Sequence, residues 1–293
     1  MTLATTRRRL DAELVRRELV TSRTEAQEAI AAGLVTIDGA PAFKAATQVS
    51  PAQAVVLSAA PRAYVSRGGD KLAHALSVFG LDPTGWHVLD AGVSTGGFTD
   101  CLLQHGAARV VAYDVGYGQL HERLRTDERV VLFERTNVRS LTPADVPPPP
   151  ADLLVADLSF ISLALVLPTL RSLVAEDGQG LVLVKPQFEA ERGDVGTGGI
   201  VRDPAVWARS LHRVATAAAS CGWETVGATA SPLLGGAGNV EFLLHLAPPD
   251  TSMRRSDTFE VGEWVATAVA EGQVRRADGR GAASTDTDAE GTS

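Results

Sequence analysis

Lys71, Asp157, Lys185 and Glu241 are the residues of this chain whose types suit proton transfer, and the two lysines among them are rare. Only three lysines, Lys44, Lys71 and Lys185, stand against 24 arginines in 293 residues. An exposed lysine drifts to arginine at little cost, so a lysine that persists in such a background is one that arginine cannot replace. Only an amine can lose its proton near neutral pH, whereas a guanidinium stays charged. Chance survival gives the same count, and the motifs around each lysine must decide.

A second group has the makings of a cofactor loop. An apolar run at 87–89 passes into Asp90-Ala91-Gly92-Val93-Ser94-Thr95-Gly96-Gly97-Phe98-Thr99 and then a helical stretch that stops near Gly106. Glycines after a first strand let a ligand approach the backbone, and the next helix offers free amides at its N-terminus. Such a loop serves dinucleotides or S-adenosylmethionine. Gly92, Gly96 and Gly97 miss the Gly-x-Gly-x-x-Gly spacing of dinucleotide sites, which favours the methyl donor. Asp114, ending the second strand, suits a ribose diol with either ligand.

These residues need a scaffold that gathers them. Apolar runs at 87–89, 109–113, 130–133, 152–156, 180–184, 225–228 and 240–246 predict seven strands with helices between most of them, an α/β doubly wound sheet. Parallel strands bring their carboxyl ends to one edge, where ligands of this class bind. Asp157 ends the fourth strand and Lys185 the fifth, so the two should be neighbours. If the last strand is antiparallel, its start lies at the same edge and Glu241 joins them. Lys71 is expected to open the helix before the first strand. Ahead of it, Leu10 and Leu14 predict a short amphipathic helix, Ser22 and Glu25 a capped second helix ending at Gly33, and the alternating 34–39 stretch a hairpin with an Asp38-Gly39 turn.

Composition narrows the partners. The chain carries a formal charge of −8, but residues 1–71 hold ten basic and seven acidic groups, leaving −11 on the rest. A basic head on an acidic body suits a polyanion. The longest uncharged apolar stretch, 159–170, is too short to span a bilayer, which needs about 20 residues. The N-terminus lacks the apolar core of a secretory signal, so a cytoplasmic protein is expected, with no membrane and no obligate protein partner. Two cysteines and six histidines show no metal-ligand spacing, and no metal is expected.

Arg9-Leu10-Asp11, Ser22-Arg23, Ala26, Ile30, Gly33, Val35, Ile37-Asp38-Gly39 and Lys44 resemble the alpha-L RNA-binding module of ribosomal and RNA-modifying proteins. That resemblance implies that Arg7, Arg9, Arg16, Arg17, Arg23 and Lys44 face an RNA backbone, with Arg67 of the linker added to the set. The order Lys71, Asp157, Lys185, Glu241 resembles the tetrad of FtsJ-type RNA ribose 2′-O-methyltransferases. With the segments Asp157-Leu158-Ser159-Phe160 and Lys185-Pro186-Gln187-Phe188-Glu189, the chain resembles the TlyA family of ribosomal RNA methyltransferases, also known as haemolysins.

The likeness implies a Rossmann-like class I methyltransferase, with a seven-stranded, mostly parallel sheet and an antiparallel last strand. The expected layout is an alpha-L RNA-binding domain over 1–60, a linker over 61–69, the methyltransferase domain over 70–276 and a disordered tail over 277–293. S-adenosylmethionine would lie against Asp90, Gly92, Ser94, Gly96, Gly97 and Phe98. Asp114 would take its ribose, Asn137 and Val138 its adenine, and Asp157 its methionine end. The partner would be ribosomal RNA or ribosomal subunits, methylated on cytidine ribose in both subunits. Lys185 would orient the 2′-hydroxyl or accept its proton, a role that needs burial or nearby positive charge to favour a neutral amine. The alternatives are a non-catalytic ribosome-assembly factor that keeps the basic head, and a membrane-acting haemolysin.

Overall fold

The computed structural model describes residues 7–20, 22–31, 33–58, 63–249 and 261–284. The chain divides after Arg62 into two compact units. In the small unit, β1 (Arg8–Arg9) leads into α1 (Leu10–Arg16) and α2 (Arg23–Ala31), followed by β2 (Val35–Ile37), β3 (Ala40–Pro41), β4 (Gln48–Val49) and β5 (Val55–Leu57). The Ser22 hydroxyl accepts from the Glu25 amide at 3.2 Å, as the capping signal requires. Asp38 and Gly39 adopt φ of 50° and 84°, the paired left-handed conformation of a two-residue hairpin turn. Leu10, Leu14, Ala26, Ile30, Val35 and Val49 are all but fully buried and form the unit's core.

In the large unit the elements are α3 (Arg67–Phe79), β6 (His87–Ala91), α4 (Gly97–Gln104), β7 (Arg109–Tyr113), α5 (Glu122–Arg125), β8 (Val130–Phe133), β9 (Ala151–Ala156), α6 (Leu163–Ser172), β10 (Val174–Val184), α7 (Pro186–Glu189), α8 (Pro204–Ser220), β11 (Glu224–Ala230), β12 (Phe242–Ala247) and α9 (Val261–Ser284). The seven apolar runs of the sequence fall on strands of one sheet, ordered β11-β12-β10-β9-β6-β7-β8, although the last run, expected from Val240, becomes strand only from Phe242. Strands β8, β7, β6, β9 and β10 are parallel, and β12 is antiparallel to both β10 and β11.

The sheet is apolar on both faces because successive side chains alternate. Val88, Leu153, Val155, Leu181 and Leu183 pack with Leu72 and Leu76 of α3 and Leu102 of α4. Leu89, Leu154, Ala156, Val182 and Val184 pack with Leu167 of α6, Leu211 of α8 and Val265 of α9. This sandwich fixes which strand ends meet.

Three expectations shift at the boundaries. The segment expected to be linker through residue 69 is helical from Arg67, so Lys71 sits in the second turn of α3 rather than opening it. The tail expected to be disordered from residue 277 continues α9 to Ser284, since a helix anchored in the core by Val265 and Ala268 adds further turns cheaply. The remainder of that tail, 285–293, lies outside the described residues.

Candidate active site

The parallel topology delivers the four separated polar residues as two ion pairs. Asp157 follows β9 directly, Lys185 follows β10, and Glu241 precedes the antiparallel β12, so all three stand at one sheet edge. Lys71 reaches in from α3, and its Nζ lies 2.5 Å from Glu241 Oε2; both side chains are buried. Lys185 Nζ lies 2.5 Å from Asp157 Oδ1 and donates to Ser159 Oγ at 3.0 Å. Asp157 Oδ1 takes no aligned hydrogen bond, so its hold on Lys185 is Coulombic. The Lys71–Glu241 pair is sealed from water, while Asp157 is about a quarter exposed.

Beside this edge lies a cavity of about 500 Å³ lined by Gly92, Ser94, Asp114, Asn137, Val138 and Asp157, six of the residues expected to hold the cofactor. Gly92 has φ of 91°, and a Cβ there would stand 2.7 Å from the Asp157 carbonyl oxygen, so a side chain is excluded on two counts. Asp114 is fixed by the amides of Ser94 and Gly116, each at 2.7 Å. Asn137 Oδ1 accepts from the Arg139 amide at 3.0 Å, so the oxygen expected to meet adenine already caps a short helical turn.

The other four loop residues do not line the cavity. Asp90 is fully buried, and its Oδ2 accepts from Thr99 Oγ1 at 2.6 Å while Oδ1 has no partner. Burial, with the negative charges of Asp157 and Asp114, pushes its carboxyl up to about 7 against the Thr99 bond. Phe98 packs in the core beneath the loop, and Gly96 and Gly97 turn the chain into α4.

Comparison with known proteins shows the family. A model of the FtsJ-like methyltransferase family matches residues 64–247, and a model of the S4 domain matches residues 8–55. The 16S/23S rRNA (cytidine-2′-O)-methyltransferase TlyA of Mycobacterium tuberculosis is 56% identical over 241 residues, which are 82% of this chain and 90% of that protein. The chain belongs to the TlyA family of FtsJ-like methyltransferases. Hemolysin A of Brachyspira hyodysenteriae is 39% identical, over 76% of this chain and 93% of its own. A solved hemolysin-like structure from Streptococcus thermophilus superposes with a TM-score of 0.70 at 38% identity, covering 94% of this chain and all of that one. Among the described residues of this TlyA-family chain, no helix is long and apolar enough to cross a membrane, and no cluster of His, Cys, Asp or Glu is arranged for a metal.

The arginines of the S4 unit are less alike than they look in sequence. Arg9 and Arg23 both pair with Asp11, which is wholly buried. Arg16 and Arg17 both pair with Glu13, 1% exposed. The Arg16 bond leads the forces that hold Glu13 at about 2 despite burial. Arg17 also donates to the Gln53 carbonyl at 2.9 Å and is largely covered, so it braces the unit. Arg7 and Lys44 are exposed. In the large unit, Arg67 donates to the Leu234 carbonyl at 2.6 Å, in the loop leading to Glu241.

Sequence reasoning missed Ser159, Asp11 and Glu13 as organising groups. Ser159 had one available signal, its place two residues beyond Asp157 in the same strand-end loop. The two acids had none, because on a short helix rich in charge they read as solvated.

Proposed function

We propose that this enzyme transfers a methyl group from S-adenosylmethionine to the ribose 2′-hydroxyl of cytidine in ribosomal RNA of both subunits. The observation that carries this reading is the convergence of Lys71–Glu241 and Lys185–Asp157 on one sheet edge, beside a cavity with an aspartate at the second strand end. The name of the M. tuberculosis relative supports the base and the RNA.

The cavity residues fit the cofactor. Asp114 is placed and oriented for a ribose diol, Val138 offers an apolar wall and Asn137 an amide for the adenine, and the bare backbone at Gly92 gives a close approach. Asn137 meets the base with its Nδ2 donor or the remaining lone pair of Oδ1. Bound there, S-adenosylmethionine supplies a methyl group activated by its sulfonium.

Lys185 Nζ would hold the ribose 2′-hydroxyl and take up its proton while the bound cofactor supplied the methyl group. Asp157 and Ser159 fix Nζ in position for this. Lys71 and Glu241 set the field at the same edge from a dry position. The small unit holds the RNA through backbone phosphates, which give affinity without reading sequence.

Lys185→Arg tests the proton acceptor. The substitution keeps the charge but cannot present a neutral amine, so methyl transfer to ribosomal RNA from cells lacking the enzyme should fall by about 10²–10⁴. Binding of S-adenosylhomocysteine should persist. Near-wild-type turnover would refute the role. Nucleoside mass mapping of the modified RNA tests the base and the subunits.

A further inference from the structure

Asp11 is an unusual residue for a surface meant to meet a polyanion. It lies on α1 with no exposed area, yet receives Arg9 through two bonds, Nε to Oδ1 at 3.1 Å and Nη2 to Oδ2 at 3.0 Å. Arg23, from α2, donates its Nη2 to the same Oδ2 at 2.9 Å, and Gln27 Nε2 approaches it at 3.4 Å. Burial opposes the charge on Asp11, but the guanidinium bonds outweigh it and hold the carboxyl well below the usual carboxylate range. The acid is therefore ionised throughout the physiological range.

Two guanidinium groups, one from β1 and one from α2, thus converge on one oxygen, while their side chains remain 42% and 52% exposed. The paired acid is hidden beneath them, so a ligand arriving from solvent meets the arginines and not the carboxylate. A guanidinium carries five N–H donors in a rigid fork, and about half of each of these two side chains faces solvent. Arg17, on Glu13, shows the contrast: it is 20% exposed and spends its donors on backbone carbonyls.

We infer that Asp11 is a positioning residue for RNA binding, seating Arg9 and Arg23 as a preorganised guanidinium pair that grips one stretch of sugar-phosphate backbone. The inference rests on the reading that the small unit binds RNA. Long side chains lose rotamer freedom when they bind, and a fold that has already fixed them spares the complex that cost.

The inference opposes simple electrostatics in sign, which makes it testable. Asp11→Asn removes a negative charge near a polyanion, and Coulomb's law alone predicts tighter binding. Positioning predicts the reverse, because a neutral amide holds two guanidinium groups less firmly than a carboxylate and leaves each less fixed. In the full chain, with transcribed 23S ribosomal RNA as the probe, affinity at 150 mM salt should fall about tenfold, and the slope of log K against log salt should lessen by about one phosphate contact.

Adding Asp11→Asn to the Arg9→Ala/Arg23→Ala variant separates positioning from a damaged fold, since a residue that acts only through those arginines has nothing left to lose. Unchanged or tighter binding by Asp11→Asn overturns the inference, and so does a further loss in the triple variant. If Arg9→Ala/Arg23→Ala binds as the wild type does, the RNA-binding reading itself fails. If that variant is weak while Asp11→Asn is not, the reading stands and only the positioning role falls.

Discussion

Replacing Glu241 by methionine should uncouple the stability of the active-site edge from its chemistry. At 2.5 Å the Lys71–Glu241 attraction is about 7 kcal/mol at an effective dielectric near 20, but removing two ions from water costs several kcal/mol each. The pair is therefore close to neutral for stability, while either charge alone bears an unrepaid desolvation. Glu241→Met leaves the Lys71 ammonium, 8% exposed, in that state and should cost about 3–5 kcal/mol. At about 2–4 °C per kcal/mol for a unit of this size, the melting temperature falls by about 6–20 °C.

The double variant Lys71→Met/Glu241→Met removes both charges and fills the slot with unbranched side chains of similar volume. An unbranched replacement matters because a Cβ built on Gly235 already lies within contact of Glu241. The double variant should recover most of the lost stability and no methyl transfer. Calorimetric melts of the unaltered chain and its two variants, with turnover on ribosomal RNA, give the comparison. A Glu241→Met protein that melts within about 2 °C of wild type, or a double variant no more stable than it, refutes the reasoning.

Two further substitutions probe the loop. Asp90 titrates at about 7 in the fold against an ordinary 3.8, so the native state keeps a proton that the unfolded chain loses, and stability declines as pH rises through that window. Asp90→Asn abolishes this decline; its stability relative to wild type should grow by up to roughly 4 kcal/mol between pH 4 and pH 8, read from melts at both, and a constant difference would count against it. Gly92→Ala forces a Cβ against the Asp157 carbonyl at a left-handed φ, a strain of about 1–3 kcal/mol. S-adenosylhomocysteine affinity by titration calorimetry should drop at least about tenfold, and an unaltered affinity would show that the backbone there is not a ligand wall.

The sheet was legible because its strands are buried on both faces. Runs such as 109–113 and 180–184 are apolar in nearly every position and bounded by polar or glycine-rich segments, the pattern of short buried strands. Topology then carried the polar residues, since any residue that ends a parallel strand stands at the ligand edge. That rule reached Asp157 and Lys185, and the antiparallel β12 brought in Glu241. How the four pair was beyond it. Lys71 takes Glu241 and Lys185 takes Asp157 because Lys71 comes from α3, packed on one face of the sheet, and not from a strand end, a matter of packing rather than pattern.

Asp90 and Asp114 show where pattern stops. Both close an apolar run on neighbouring strands, β6 and β7, and in sequence they look equivalent. The register pairs Asp90 with Ala112 and Ala91 with Tyr113, so Asp90 lies inside its strand whereas Asp114 lies one residue beyond its own. A side chain inside the strand points into a helix-covered face and must be buried, here onto Thr99 of α4. A side chain just past the end is released to the cavity, where backbone amides steady it for a ligand. One residue of offset thus separates a buried acid that costs stability from a half-buried acid that lines the cavity. The same difference in burial separates Asp11 from the arginines that surround it. Charge marks a functional surface in sequence, but depth decides whether a charged group meets the ligand or positions the groups that do.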